Sequence, residues 1–189
     1  MGAKPGREAI RAFVGVELPA GHVRELAGHL ERCRATEPRL RWVPPANLHV
    51  TLRFLGNVEG DVLDVVRAAL PGIEGAPFEM ALGAPGCFGR RDRARVVWLR
   101  VEAGEPELAR LAAAVDAVCA GAGLARDDRA YHPHLTLARA PGREGVRLPD
   151  LPEPPRLDAW TVPGLTLFRS RLRRGSAAYE RLARFPFAR

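Results

Sequence analysis

Two short segments of the chain, residues 49–52 and 134–137, share the pattern His-x-Thr-Leu, in which x is apolar. Residues two positions apart in a strand point to the same side, so each segment presents a histidine beside a threonine. A neutral imidazole can act as a base and a protonated one as an acid near pH 7, while a threonine hydroxyl can donate a hydrogen bond to an anion. Two such pairs facing each other would suit acid–base chemistry on a bound anion.

The repetition itself carries information. With average residue usage, two independent matches to this pattern in a chain of this length have a chance of about 10⁻⁴. The two histidines are 134 − 49 = 85 residues apart in a chain of 189 residues, which is close to half its length. This spacing predicts a duplicated half-domain that contributes one motif from each copy. A pseudo-twofold arrangement of the copies would make the two pairs face one another.

The apolar pattern predicts the elements that must position the motifs. Strands are predicted over residues 10–18, 48–54, 78–82, 94–101 and 134–138, with a closing hairpin over residues 160–168 and 177–185. Amphipathic helices are predicted after Pro19, from Val62 and from Pro106, and residues 141–155, rich in Pro and Gly, are predicted to form a loop. Several connections are too short for a parallel crossover, so we expect an α+β fold with antiparallel sheets.

Composition and charge set the class of protein. The chain is 47% hydrophobic and 27% charged, which excludes disorder, collagen and coiled coil, and no apolar run is long enough for a membrane helix. Cys33, Cys87 and Cys119 are far apart, so we expect small buried residues rather than disulfides or a zinc site. The net charge of +7 favours a polyanionic partner such as nucleic acid. We expect a monomeric cytoplasmic protein that needs no protein partner.

The sequence around the motifs resembles the 2H phosphoesterase superfamily. The segments that carry this resemblance are RWVPPANLHVTLRFLG at residues 41–56 and YHPHLTLAR at residues 131–139. The sequence is most similar to the bacterial and archaeal branch of RNA 2′,3′-cyclic phosphodiesterases, also described as 2′-5′ RNA ligase-like. The resemblance covers nearly the whole chain. It implies one domain over residues 1–189, with two pseudo-symmetric sheet-plus-helix lobes and an active site in the cleft between them. It also implies cofactor-free opening of 2′,3′-cyclic phosphates on RNA ends or nucleotides, with the 3′-oxygen leaving to give a 2′-phosphate.

The same resemblance implies roles for individual residues. His49 and His134 correspond to the catalytic pair, and Thr51 and Thr136 to phosphate-binding residues. The apolar neighbours of these side chains are predicted to face the core, which would hold the polar pairs rigidly.

The resemblance also makes Arg139 a phosphate ligand, although strict alternation places it on the face opposite His134. A strand end or a bulge would be needed to bring Arg139 to the site. Arg53, four residues after His49, shares the catalytic face by alternation and is the second candidate.

Several alternatives remain open. The chain could act in the reverse direction as a 2′-5′ RNA ligase, or bind RNA without catalysis. His132 and His134 could form half of a metal site, although no third ligand is evident and a structural role for His132 is favoured. His22 and His29 are predicted to be surface residues. Arginines at positions 169, 171, 173 and 174 could follow RNA phosphates, but a solvated hairpin is the favoured interpretation. The loop at residues 141–155 replaces a helix expected in the family and bears on the substrate contacts there.

Overall fold

The computed structural model describes residues 9–173 and 176–188, without the side chains of Leu172, Arg173 and Ser176. Within these residues the strands are β1 (Ile10–Glu17), β2 (Arg41–Trp42), β3 (His49–Val58), β4 (Phe78–Phe88), β5 (Val96–Ala103), β6 (His134–Arg139), β7 (Trp160–Val162), β8 (Gly164–Arg173) and β9 (Ser176–Pro186). The α-helices are α1 (Ala20–Thr36), α2 (Gly60–Ala69) and α3 (Glu105–Gly121). Short 3₁₀ turns occur at Pro45–Asn47, Leu70–Gly72 and Arg91–Arg93. Arg174 lies outside the described residues.

The strands form one antiparallel sheet in the order β7-β4-β5-β6-β3-β1-β8-β9, and β2 pairs with β6. The order is symmetric about the junction of β6 and β3, because β5 flanks β6 just as β1 flanks β3. Each half repeats a unit of strand, 17-residue helix and motif strand, namely β1–α1–β3 and β5–α3–β6. The predicted α+β fold with two pseudo-symmetric halves is confirmed.

Local sequence explains where the two long helices begin and which face each buries. Pro19 precedes α1, and Gly104, in the left-handed conformation with φ of 87°, precedes α3. Glycine reaches this conformation without the steric penalty of a side chain. The buried positions recur every three or four residues, as an amphipathic helix requires. They are Leu26, His29, Leu30 and Cys33 in α1, and Leu108, Leu111, Ala112, Val115 and Cys119 in α3.

The motif strands are anchored from below. Val50, Leu52, Leu135 and Leu137 are at most 4% exposed and join the single core cluster that also contains the helix residues. Burial of each such side chain stabilises the fold by about 1.5–3 kcal/mol. The histidines and threonines between them therefore stand on strands that are fixed by the core.

The end of the chain differs from its prediction. The strand expected over residues 160–168 is divided at Pro163, so that β7 pairs with β4 whereas β8 pairs with β1 and β9. Proline has no backbone N–H and cannot continue the ladder. The loop predicted over residues 141–155 is present, with one isolated bridge between Val146 and Ala94.

Two predictions about single residues need correction. His29 is 2% exposed and packs against Cys33, so the prediction of a surface position was wrong. Cys33 and Cys119 are buried as expected, but Cys87 is only half-buried, and all three thiols are free. No helix of the described residues is long and apolar enough to cross a membrane.

Candidate active site

The two motif strands meet at a single antiparallel pair, Val50 with Leu135. Both residues have no measurable exposure. Because neighbouring residues in a strand point to opposite sides, the histidines and threonines that flank this pair project from the other face. Continuing the antiparallel register places the histidine of each motif beside the threonine of the other. The structure therefore brings together the four motif residues predicted from the sequence.

Both imidazoles are oriented by a backbone carbonyl two residues earlier in the chain. His49 Nδ1 lies 2.7 Å from the Asn47 oxygen, and His134 Nδ1 lies 2.7 Å from the His132 oxygen. A carbonyl oxygen can only accept, so each Nδ1 carries a proton and each Nε2 is left for other partners. The Thr51 hydroxyl donates to Nε2 of neutral His49 at 2.9 Å. The same ring orientation thus suits a base when Nε2 is bare and an acid when it is protonated.

Aromatic side chains pack around both imidazoles, which are half-buried. The rings around His49 are Phe13, Phe168 and Tyr179, at centroid distances of 4.6, 5.9 and 5.2 Å; those around His134 are Phe88 and Trp98, at 4.8 and 6.3 Å. Burial lowers the pKa of His49 to about 4 and also lowers the pKa of His134. The positive charge of Arg139 lowers both pKa values further, while the backbone acceptors raise them. Both imidazoles therefore lose their protons more readily than a free histidine does.

A bulge in β6 determines the position of Arg139. The register between β5 and β6 shifts at Val97 and Trp98, and Leu137 and Ala138 are both buried although they are adjacent. Alternation is therefore interrupted once, which returns Arg139 to the face of His134. Arg139 is exposed, and its charge acts on both catalytic candidates. The bulge that its predicted role required is present.

Arg53 lies beside the site, but its hydrogen bonds go elsewhere. Its Nε is 2.8 Å from Asp116 and one of its terminal nitrogens is 3.5 Å from Asp127. It also donates to the backbone oxygens of Phe54 and Ala125, at 2.8 and 2.5 Å, and its side chain is only 11% exposed. Arg53 therefore ties β3 to α3 and to the segment that follows this helix.

The cleft widens on both sides of the motifs. Next to Thr51 and His134 lies a cavity of about 750 Å³, which Tyr131 and Arg129 also line. Next to His49 lies a smaller cavity of about 270 Å³. The larger volume falls in the range of small-molecule sites and is sufficient for a nucleotide.

Sequence reasoning did not identify Asn47. Its side chain is buried; it donates to the Ala177 oxygen at 2.5 Å and accepts from the Tyr179 N–H at 3.3 Å. Asn47 therefore joins β9 to the carbonyl that orients His49. In both motifs the residue two positions before the histidine supplies the orienting carbonyl, but the two residues are of different types, Asn47 and His132.

The described residues do not offer a ligand set for the alternative of a metal site at His132 and His134. His132 is exposed and contributes its backbone oxygen to His134. Among the described residues, no group of three or more His, Cys, Asp or Glu side chains could hold a metal ion.

Comparison with known proteins shows the family to which the chain belongs. The family model of the 2′-5′ RNA ligase superfamily matches residues 22–180. The chain belongs to this superfamily. An Escherichia coli K12 protein named RNA 2′,3′-cyclic phosphodiesterase is 31% identical over 179 residues, which cover 94% of the chain and 97% of the relative. A Methanothermobacter thermautotrophicus protein of the same name is 38% identical over 141 residues, covering 70% and 72%.

Two solved structures resemble the protein over nearly its whole length. Escherichia coli LigT complexed with 3′-AMP superposes with a TM-score of 0.80 at 29% identity, covering 96% of the chain and 100% of LigT. The TT0787 protein of Thermus thermophilus superposes with a TM-score of 0.79 at 28% identity, covering 94% and 98%. The family resemblance and the two-lobed fold predicted from the sequence are confirmed.

Proposed function

We propose that this protein hydrolyses 2′,3′-cyclic phosphates on RNA ends or nucleotides to 2′-phosphates, with His49 and His134 as the acid–base pair. One observation carries the proposal: both rings hold Nδ1–H on a backbone carbonyl, so that two Nε2 atoms serve one face of the sheet. Relatives with the printed name RNA 2′,3′-cyclic phosphodiesterase support the substrate class.

The reaction follows from the two protonation states of the pair. The neutral imidazole takes a proton at Nε2 from water, whose oxygen forms a bond to phosphorus. The bond from phosphorus to the 3′-oxygen breaks, and the protonated imidazole gives its Nε2 proton to that oxygen. The product carries a 2′-phosphate and a free 3′-hydroxyl. Because burial lowers the pKa of both histidines, the negative charge of the bound phosphate is needed to keep one imidazole protonated.

The phosphate oxygens need donors while charge develops on them. Thr51 and Thr136 supply hydroxyl groups beside the two rings, and Arg139 supplies a positive charge on the same face. Arg53, the second candidate for a phosphate ligand, instead holds β3 against α3 through its ion pair with Asp116.

The wider setting also belongs to the proposal. A net charge of +7 favours RNA as the partner, and a single chain supplies both histidines, which suits a monomer. The three free thiols are typical of the reducing cytoplasm.

Product analysis on a 2′,3′-cyclic nucleotide tests the function. We expect the 2′-phosphate as the only product, separated from the 3′-phosphate by chromatography. Formation of the 3′-phosphate would contradict the assigned leaving group. Affinity without turnover, decreasing with salt, would instead identify a non-catalytic RNA-binding module. Incubation with RNA halves that carry a cyclic phosphate and a 5′-hydroxyl would reveal the ligase direction.

A further inference from the structure

Two arginines are directly opposed on the catalytic face. Arg41 of β2 pairs across the ladder with Arg139 of β6, and the next pair along is Trp42 with Ala138. Trp42 and Ala138 are both buried in the core, at 7% and 0% exposure. Alternation therefore directs both guanidinium groups away from the core, to the face that carries the histidines.

The two positive charges of this pair repel each other. Like charges directly opposite each other in a sheet destabilise it. In the β8–β9 hairpin, by contrast, Arg171 forms an ion pair with Glu180 at 2.9 Å. Within the described residues, neither Arg41 nor Arg139 forms an ion pair with a carboxylate. A cationic pair held in place without a carboxylate is suited to an anionic ligand.

The pair of Arg41 and Arg139 lies beside Thr136, on the side away from His134. Along the exposed face of β6 the order is His134, Thr136 and Arg139, and the bulge makes the last interval equivalent to two residues, about 7 Å. On its other edge β6 pairs first with β3, at Leu135, and then with β2, at Ala138. Arg41 therefore extends the site sideways and away from the reacting centre.

We propose that Arg41, together with Arg139, binds the phosphodiester that precedes the terminal nucleotide of an RNA end. The inference rests on the proposed function, and it narrows the substrate class to oligonucleotide ends in preference to cyclic mononucleotides. A guanidinium has five N–H donors in a planar fork, so Arg139 can contact the cyclic phosphate and also share the next phosphate with Arg41.

The test compares two substrates in wild type and Arg41→Gln. One is a 2′,3′-cyclic mononucleotide, and the other is a dinucleotide that ends in the same cyclic nucleotide. For Arg41→Gln we expect kcat/KM on the dinucleotide to decrease about 10- to 100-fold, mainly through KM, because a charge-assisted hydrogen bond is lost. On the mononucleotide we expect a change of less than about twofold. Arg24→Gln, at an exposed position of α1, removes the same charge and should change neither value.

A neutral linkage sharpens the test. A dinucleotide with a methylphosphonate in place of its internal phosphodiester should be a poorer substrate for the wild type, and Arg41→Gln should cause no additional loss on it. Equal losses on the mononucleotide and the dinucleotide, or no loss on either, would overturn the subsite. Thermal unfolding of Arg41→Gln and Arg41→Lys shows whether a loss reflects folding.

Failure of the proposed function is a separate outcome. If the wild type turns over neither substrate, the proposed function is wrong. Binding measurements then test whether the subsite exists. The probes are a mononucleotide and a dinucleotide that each end in a 3′-phosphate. A lower Kd for the dinucleotide in the wild type, lost in Arg41→Gln, supports the subsite. Equal Kd values for the two probes in the wild type would refute it.

Discussion

The two halves of the molecule carry the same motif but treat the arginine after it differently. Arg53, in the first half, is neutralised by Asp116 and Asp127 and is nearly buried. Arg139, in the second half, is exposed and its charge reaches both histidines. Both halves thus place a histidine and a threonine on the same face, whereas within the described residues the arginine after the motif is paired with carboxylates in the first half only.

The largest effect should come from replacing the motif histidine that each half contributes. His49→Ala and His134→Ala should each lower kcat roughly 10²- to 10⁴-fold, as expected for one positioned acid or base. The double variant should lose much less than the product of the two losses, because both groups serve one displacement. The measurement is kcat on a 2′,3′-cyclic nucleotide.

Stability separates this prediction from a folding defect. The core contacts of both strands are made by Val50 and Leu135, so both alanine variants should fold, although loss of the aromatic contacts of His49 should lower the thermal midpoint of His49→Ala. His49→Gln keeps more of the ring's packing and is a matched variant for the alanine. Near wild-type turnover in either alanine variant, or loss only through unfolding at the assay temperature, would show that the motifs are structural.

The next effect should separate the two arginines. Arg139→Gln should lower kcat/KM about 10- to 100-fold with little change in stability, since its side chain is exposed. Arg53→Gln should leave kcat within a few fold and lower the free energy of unfolding by about 1–3 kcal/mol, because Asp116 loses a partner. Urea unfolding and steady-state kinetics measure both. The reverse pattern would make Arg53 the phosphate ligand.

A smaller effect concerns pH. Catalysis needs one neutral and one protonated imidazole, so kcat/KM should be bell-shaped. Because burial lowers the pKa of His49 to about 4 and also lowers that of His134, the maximum should lie below pH 6.5. Arg139→Gln removes a positive charge, which raises both pKa values and should move the profile to higher pH. A single ionisation with a plateau would argue for one catalytic histidine.

The smallest effect should follow chelation. Since the described residues contain no cluster of three metal-ligating side chains, EDTA should leave turnover of a cyclic nucleotide unchanged. If EDTA abolishes activity and a divalent ion restores it, the metal-free mechanism with two histidines is wrong.

Sequence patterns predicted the features that depend on local periodicity. Alternation around Val50 and Leu135 was sufficient to place both histidines on one polar face. The bulge at Leu137 and Ala138 could not be predicted, because it arises where β6 changes from one partner strand to another. Pro163, by contrast, was a readable signal for dividing the strand, since proline cannot continue a ladder.

The sequence patterns also did not predict contacts made by the backbone or by distant loops. The carbonyls of Asn47 and His132 orient the rings, and a carbonyl has no side-chain signature in the sequence. His29 was misplaced because helical spacing cannot show what covers a helix. Glu153, in the long loop after the second motif, lies close enough to raise the pKa of His29, which burial lowers.

The pair of Val50 and Leu135 also has the geometry of an isologous dimer interface, in which one surface meets a copy of itself. A homodimer built from either half would present every substitution twice, so the arginines after its two motifs would be either both free or both neutralised. Joining the halves in one chain removes that constraint. Each side of the pseudo-twofold axis can then differ from the other, which suits a site that binds an asymmetric molecule such as the proposed RNA end.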